Sequence, residues 1–154
     1  MTIYHGRSAV EAAERFLKRK LKPEERRACF LEGYSDEVYL DTKGIETFGM
    51  GQTGEWITKG LDAALNHHEL RVMARLGEYT TYPEWLRAEL YQSEYRGDLG
   101  HSPYTCRLIN ARKFNDASVE FLDSDDYRSA PDSIRRRMES VSAALYLYDR
   151  VREI

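Results

Sequence analysis

Apolar residues recur at helical intervals along much of this chain, and the intervals break at prolines and glycines. Ser8-Ala9-Val10-Glu11 has the spacing of a capping box, and the AAERFLKRKL that completes this stretch predicts a helix of about a dozen residues, ended before Pro23. Pro23 suits the first position of a second helix, with Glu24 and Glu25 near its positive end, running through ERRACFLE to a stop at Gly33. The period changes over Val38 to Thr53, where β-branched and aromatic residues mix with Gly44, Gly49 and Gly51 and predict a small glycine-bent hairpin or meander. Leu61, Leu65, His68, Val72 and Leu76 then share one helical face that ends at Gly77. Pro83-Glu84-Trp85 opens a helix through about Tyr95, and Ser102-Pro103 reads as a cap and first position. FNDASVEFL is a short helix, and Ile134, Met138, Val141, Leu145 and Tyr148 mark an amphipathic helix from about Asp132.

The pattern is that of an α+β protein dominated by helices, and a length of 154 residues allows one domain or two small lobes sharing a long helix. No repeat or linker interrupts it. A net charge of -3 excludes a general attraction for nucleic acid or anionic lipid, and the basic runs Arg26-Arg27 and Arg135 to Arg137 are expected on solvated helical faces, with local anion binding as the alternative for Arg135 to Arg137. Nothing in MTIYHGRSAVEAAERFLKRK is a long uncharged apolar run, so neither a signal peptide nor a membrane span is expected, and synthesis in a cytoplasm is. Cys29 and Cys106 have no metal-ligand spacing and read as buried reduced thiols, and His67-His68 offers no pair of ligands on one helical face. No metal or organic cofactor is expected.

Glu32 is the candidate of greatest chemical interest, because the negative end of a helix and apolar neighbours both disfavour an ionised carboxylate and would raise its pKa, which suits a proton donor. On position alone, an exposed terminal glutamate paired with an arginine is the commoner outcome. What changes the weighting is the downstream segment. Eight residues separate Glu32 from Asp41 and five separate Asp41 from Thr47, within Asp41-Thr-Lys-Gly-Ile-Glu-Thr47-Phe-Gly-Met-Gly51. This arrangement of Glu, Asp and Thr in a D-T-x-G-x-x-T-x-G-x-G frame resembles the phage-type lysozyme family of glycoside hydrolases. A weaker likeness to the helical lobe of phage muramidases extends over Tyr95 to Arg128.

The resemblance implies a lysozyme-like fold: a small lobe bearing the β-hairpin, a larger helical lobe and a cleft between. Residues 1–22 would form an added N-terminal helix, 23–58 the catalytic helix end and hairpin, and 59–154 the helical lobe. It further implies cleavage of the β-1,4 bond between N-acetylmuramic acid and N-acetylglucosamine in bacterial peptidoglycan. Glu32 would be the general acid, while Asp41 and Thr47 hold the water of an inverting route. Asp41, in a polar hairpin, is expected to stay ionised. Asp36 and Glu37 read as turn and solvent residues, and strand alternation should point Glu46 away from Thr47. Tyr95 and Arg96 are expected to contact substrate from the lip of the cleft, with an alternative for Arg96 as a surface residue paired to Glu94 or Asp98. One departure is Gln52, where some family members carry histidine. The route to the wall would be a holin-type pore or a virion. A second expectation is a virion or tail-associated protein that keeps the fold for wall binding or assembly, with weak or no catalysis.

Overall fold

The computed structural model describes residues 2–153. They form a mostly helical α+β architecture with one four-stranded antiparallel sheet in the order β1-β2-β3-β4. Two compact units are present, the first reaching Leu70 and the second beginning at Arg71.

In the first unit, β1 (Ile3–Tyr4) pairs with β2 (Tyr34–Leu40), Tyr4 opposite Tyr34. It delivers the chain directly into α1 (Gly6–Leu17), which starts two residues before the expected capping box. Ser8 therefore lies inside the helix, and the N-cap residue is His5, which makes no side-chain cap bond. The strand pairing decided the entry point over local capping. Ala9, Val10, Ala12 and Ala13 form the buried face of α1, small enough for α2 and β2 to pack closely on it. Lys18 then turns the chain with a left-handed backbone at φ 58°.

The ensuing turn is held by charge. Arg19 donates to both oxygens of buried Glu25, at 2.9 and 3.2 Å, and to Oδ1 of Asp62 at 2.7 Å. The same Glu25 accepts from the N–H of Lys22 at 2.8 Å, satisfying a donor at the start of α2 (Pro23–Glu32). β2 then leads to β3 (Glu46–Gly49) and β4 (Gln52–Thr53), followed by the short α3 (Glu55–Lys59). Buried Gln52 closes the β3–β4 turn, its Oε1 accepting from Met50 N–H at 2.7 Å, so the glutamine has a structural use of its own.

α4 (Leu61–Arg75) contains the boundary between the units and buries Leu61, Leu65 and Val72, with Leu76 just beyond it. In the second unit a single 3-10 turn precedes α5 (Glu84–Arg96), α6 (Pro103–Asn110), α7 (Phe114–Leu122), α8 (Asp125–Ser129) and α9 (Asp132–Val151). Leu86, Leu90, Phe114, Ala117, Phe121, Met138, Val141 and Leu145 make its core, where α9 packs on α5 and α7. Ser102 stands at the N-cap position of α6 as expected, but its Oγ donates back to the Asp98 carbonyl at 2.9 Å and caps no helical N–H. Among the described residues no helix is long and apolar enough to cross a membrane.

Candidate active site

The helix end that carries Glu32 is set by one glycine. Gly33 has φ 86° and ψ 177°, a conformation left almost entirely to glycine, and a Cβ there would meet the Tyr4 carbonyl oxygen at 3.0 Å. Its N–H still bonds the Cys29 carbonyl at 2.9 Å, so α2 runs intact to its last residue before the chain passes straight into β2. Glu32 is thus a half-buried carboxylate at the C-terminus of α2 with no basic residue in the last turn. Its charge reaches the buried thiol of Cys29, which burial, then Glu14 and Glu32, push up to about 12.

Asp41 lies just past β2, where it organises the hairpin turn. Its Oδ1 accepts from the N–H groups of Lys43 at 2.8 Å and Ile45 at 2.9 Å, while its own N–H bonds the Ile45 carbonyl at 3.0 Å. Both side-chain bonds fall on one oxygen, Oδ1. The residue is half-buried. This structural use of Asp41 was not foreseen from its place in the motif, although an Asp two residues before a backbone donor is a common Asx-turn signal.

Thr47 on β3 is buried, directly opposite Tyr39 on one side and Thr53 on the other. Its hydroxyl proton goes to the Ile45 carbonyl at 3.0 Å, which leaves the oxygen's lone pairs to accept from a bound molecule. Glu46 is exposed while Thr47 is buried, as alternation requires, and Asp36 and Glu37 are exposed. Pairing between β2 and β3 slips between Ser35 and Tyr39, where Ser35 Oγ donates to the Glu37 carbonyl at 2.9 Å and accepts from the Glu37 N–H.

The bulge re-aims the far half of β2, and this brings in a residue the sequence reading passed over. Tyr39 is half-buried, and burial followed by the charges of Asp41 and Glu32 raises its hydroxyl above the ordinary tyrosine value. Tyr39 stands directly opposite Thr47 in the ladder, with Asp41 two residues on, just past the end of β2, whereas Val38 and Leu40 are exposed. The i, i+2 spacing was available in the sequence; the cross-strand register was not.

Tyr95 and Arg96 end α5 in the second unit. The Tyr95 ring rests against Tyr91 with centroids 6.4 Å apart, and exposed Arg96 places Nε 3.5 Å from Asp98 Oδ2. Asp98 is therefore the acidic partner of Arg96, while buried Glu94 is taken by Arg71 and Arg75 at 3.1 and 2.6 Å. Two depressions of the first unit, about 460 and 520 Å³, are lined by charges of α1, the following turn and α4, and neither includes Glu32, Asp41 or Thr47. Their lining groups are largely spent on one another, as the Arg19–Glu25–Asp62 and Lys22–Glu69 pairs show. Among the described residues no group of three or more His, Cys, Asp or Glu is placed to hold a metal, and His67 stacks on Trp56 at 4.6 Å. Cys29 and Cys106 are both buried free thiols.

Comparison of the chain with protein-family models, curated proteins and solved structures returned no match.

Proposed function

We propose that this protein is a lysozyme-fold peptidoglycan muramidase, hydrolysing the β-1,4 bond between N-acetylmuramic acid and N-acetylglucosamine by an inverting route. The observation that carries the reading is the joining of a helix-end carboxylate, Glu32, through a single glycine to a hairpin that carries Asp41 and Thr47 beside Tyr39. The spacing of the three residues, which resembles that of phage-type lysozymes, supports it.

In this mechanism Glu32 gives its proton to the glycosidic oxygen as the bond to the anomeric carbon breaks. Water attacks that carbon from the opposite face and loses a proton to Asp41, whose two turn bonds both fall on Oδ1. The Thr47 oxygen, whose own proton is committed to the Ile45 carbonyl, accepts a hydrogen bond from the water's other O–H, which stays with the product, and so fixes the water's orientation. Exchange with solvent then returns the proton from Asp41 to Glu32. Tyr95 and Arg96 are assigned to substrate contacts, and Arg96 would have to exchange Asp98 for a ligand carboxylate.

The partner is bacterial peptidoglycan, in a phage lytic cycle in which a membrane pore or a virion provides access to the wall. Turbidity clearing of outer-membrane-permeabilised bacteria by wild type and Glu32→Gln, side by side, tests the proposal. Clearing by wild type and none by the variant is expected, since the amide keeps the size of the acid without its proton. Equal clearing by both would remove Glu32 from the mechanism, and no clearing by either would favour the wall-binding virion role.

A further inference from the structure

We infer that the hydroxyl of Tyr39 is a substrate-binding group of the same site, donating a hydrogen bond to an oxygen of the saccharide held between Glu32 and Asp41. The inference rests on the glycosidase reading and adds a contact to it. Tyr39 is paired across the ladder with Thr47, and directly opposed residues of antiparallel strands project side by side from one face. Asp41 follows two residues later, just past the end of β2, so the tyrosine has the threonine across the ladder and the carboxylate next along the chain. Beside that geometry, burial and the charges of Asp41 and Glu32 all act on its hydroxyl in the same direction, raising its pKa. No hydrogen bond to protein engages it among the described residues, whereas Asp41 and Thr47 each make one.

A half-buried phenol with neighbouring carboxylates stays protonated, and a protonated phenol is a donor. Around it are groups that chiefly accept: the two carboxylates and the threonine oxygen. A sugar's ring substituents include hydroxyls that donate to such acceptors, together with oxygens that need a donor, and Tyr39 supplies the neutral one. Because the hydroxyl supports nothing in the protein, Tyr39→Phe should leave the fold intact.

Two readouts test this. On soluble glycan strands, Tyr39→Phe should lower kcat/KM about five- to tenfold, the loss of one neutral hydrogen bond, with the melting temperature and both limbs of the pH–rate profile in place. A kcat/KM within about twofold of wild type would overturn the contact, and so would a moved limb, which would mean that Tyr39 tunes the carboxylates. The second readout is independent of turnover: co-sedimentation with purified sacculi of Glu32→Gln and of Glu32→Gln/Tyr39→Phe. Weaker binding by the double variant supports the contact even if the protein proves to have no hydrolytic activity, in which case only the glycosidase reading fails. Equal binding overturns the contact.

Discussion

Gly33 and Asp41 do the most to shape this site, and each couples backbone geometry to the position of a carboxylate. At Gly33 a side chain would have to hold a positive φ and approach the Tyr4 carbonyl at 3.0 Å. Gly33→Ala should therefore destabilise the protein by about 1–3 kcal/mol, measured by denaturant unfolding, and should lower activity further by displacing Glu32. Asp41 has two separable jobs. Asparagine can keep both bonds to the N–H groups of Lys43 and Ile45 but cannot take a proton from water, whereas alanine loses both functions. Asp41→Asn should unfold within about 0.5 kcal/mol of wild type and Asp41→Ala about 1–3 kcal/mol earlier, with clearing activity lost in both. The motif spacing made Glu32, Asp41 and Thr47 legible as candidates. It did not reveal that Asp41 builds the turn or that Tyr39 stands beside it, because both depend on which backbone groups face each other across the hairpin.

Among the elements, helices whose start is marked by local punctuation were the easiest to read. α2, α7 and α9 begin where proline, the Phe114 periodicity and Asp132 place them, since burial of one face and local punctuation agree there. β1 was invisible: two residues have no period, and pairing with β2 alone makes them a strand. The same pairing moved the start of α1 ahead of Ser8. Nor did the sequence reading foresee the ion pairs behind α1. Removing Arg19 would leave Glu25 buried with, among the described residues, the Lys22 N–H as its hydrogen-bond donor, although Arg19 is itself a third exposed. Arg19→Ala should cost about 1–2 kcal/mol in thermal or denaturant unfolding, a loss smaller than that of a fully buried pair.

The loop between α5 and α6 offers a pH test. Burial raises the carboxyl of Asp98, with Arg96, Arg137 and His101 opposing it. The folded state then holds this proton where the unfolded chain has released it. Stability falls as pH rises from the unfolded value of about 4 through the folded one. Asp98→Asn should remove that part of the slope, and a stability profile parallel to wild type from pH 3 to 7 would contradict the assignment.

At the scale of the molecule, the helical content and the small sheet followed from periodicity, while the division within α4 did not, because Leu61 to Leu76 reads as one uninterrupted amphipathic stretch. Each unit carries one buried thiol whose pKa burial raises, Cys29 in the first and Cys106 in the second. Both should resist alkylation at pH 8 in the native protein and react in denaturant, as mass spectrometry would record; native labelling of either would show that its unit opens under those conditions. All three proposed catalytic residues lie in the first unit. Their joint action is the central claim, and the bond they cleave is its most direct test. Mass spectrometry of borohydride-reduced products from purified sacculi should show new muramic-acid reducing ends with wild type and none with Glu32→Gln. Reducing ends on glucosamine, or muramic ends released equally by the variant, would contradict the account.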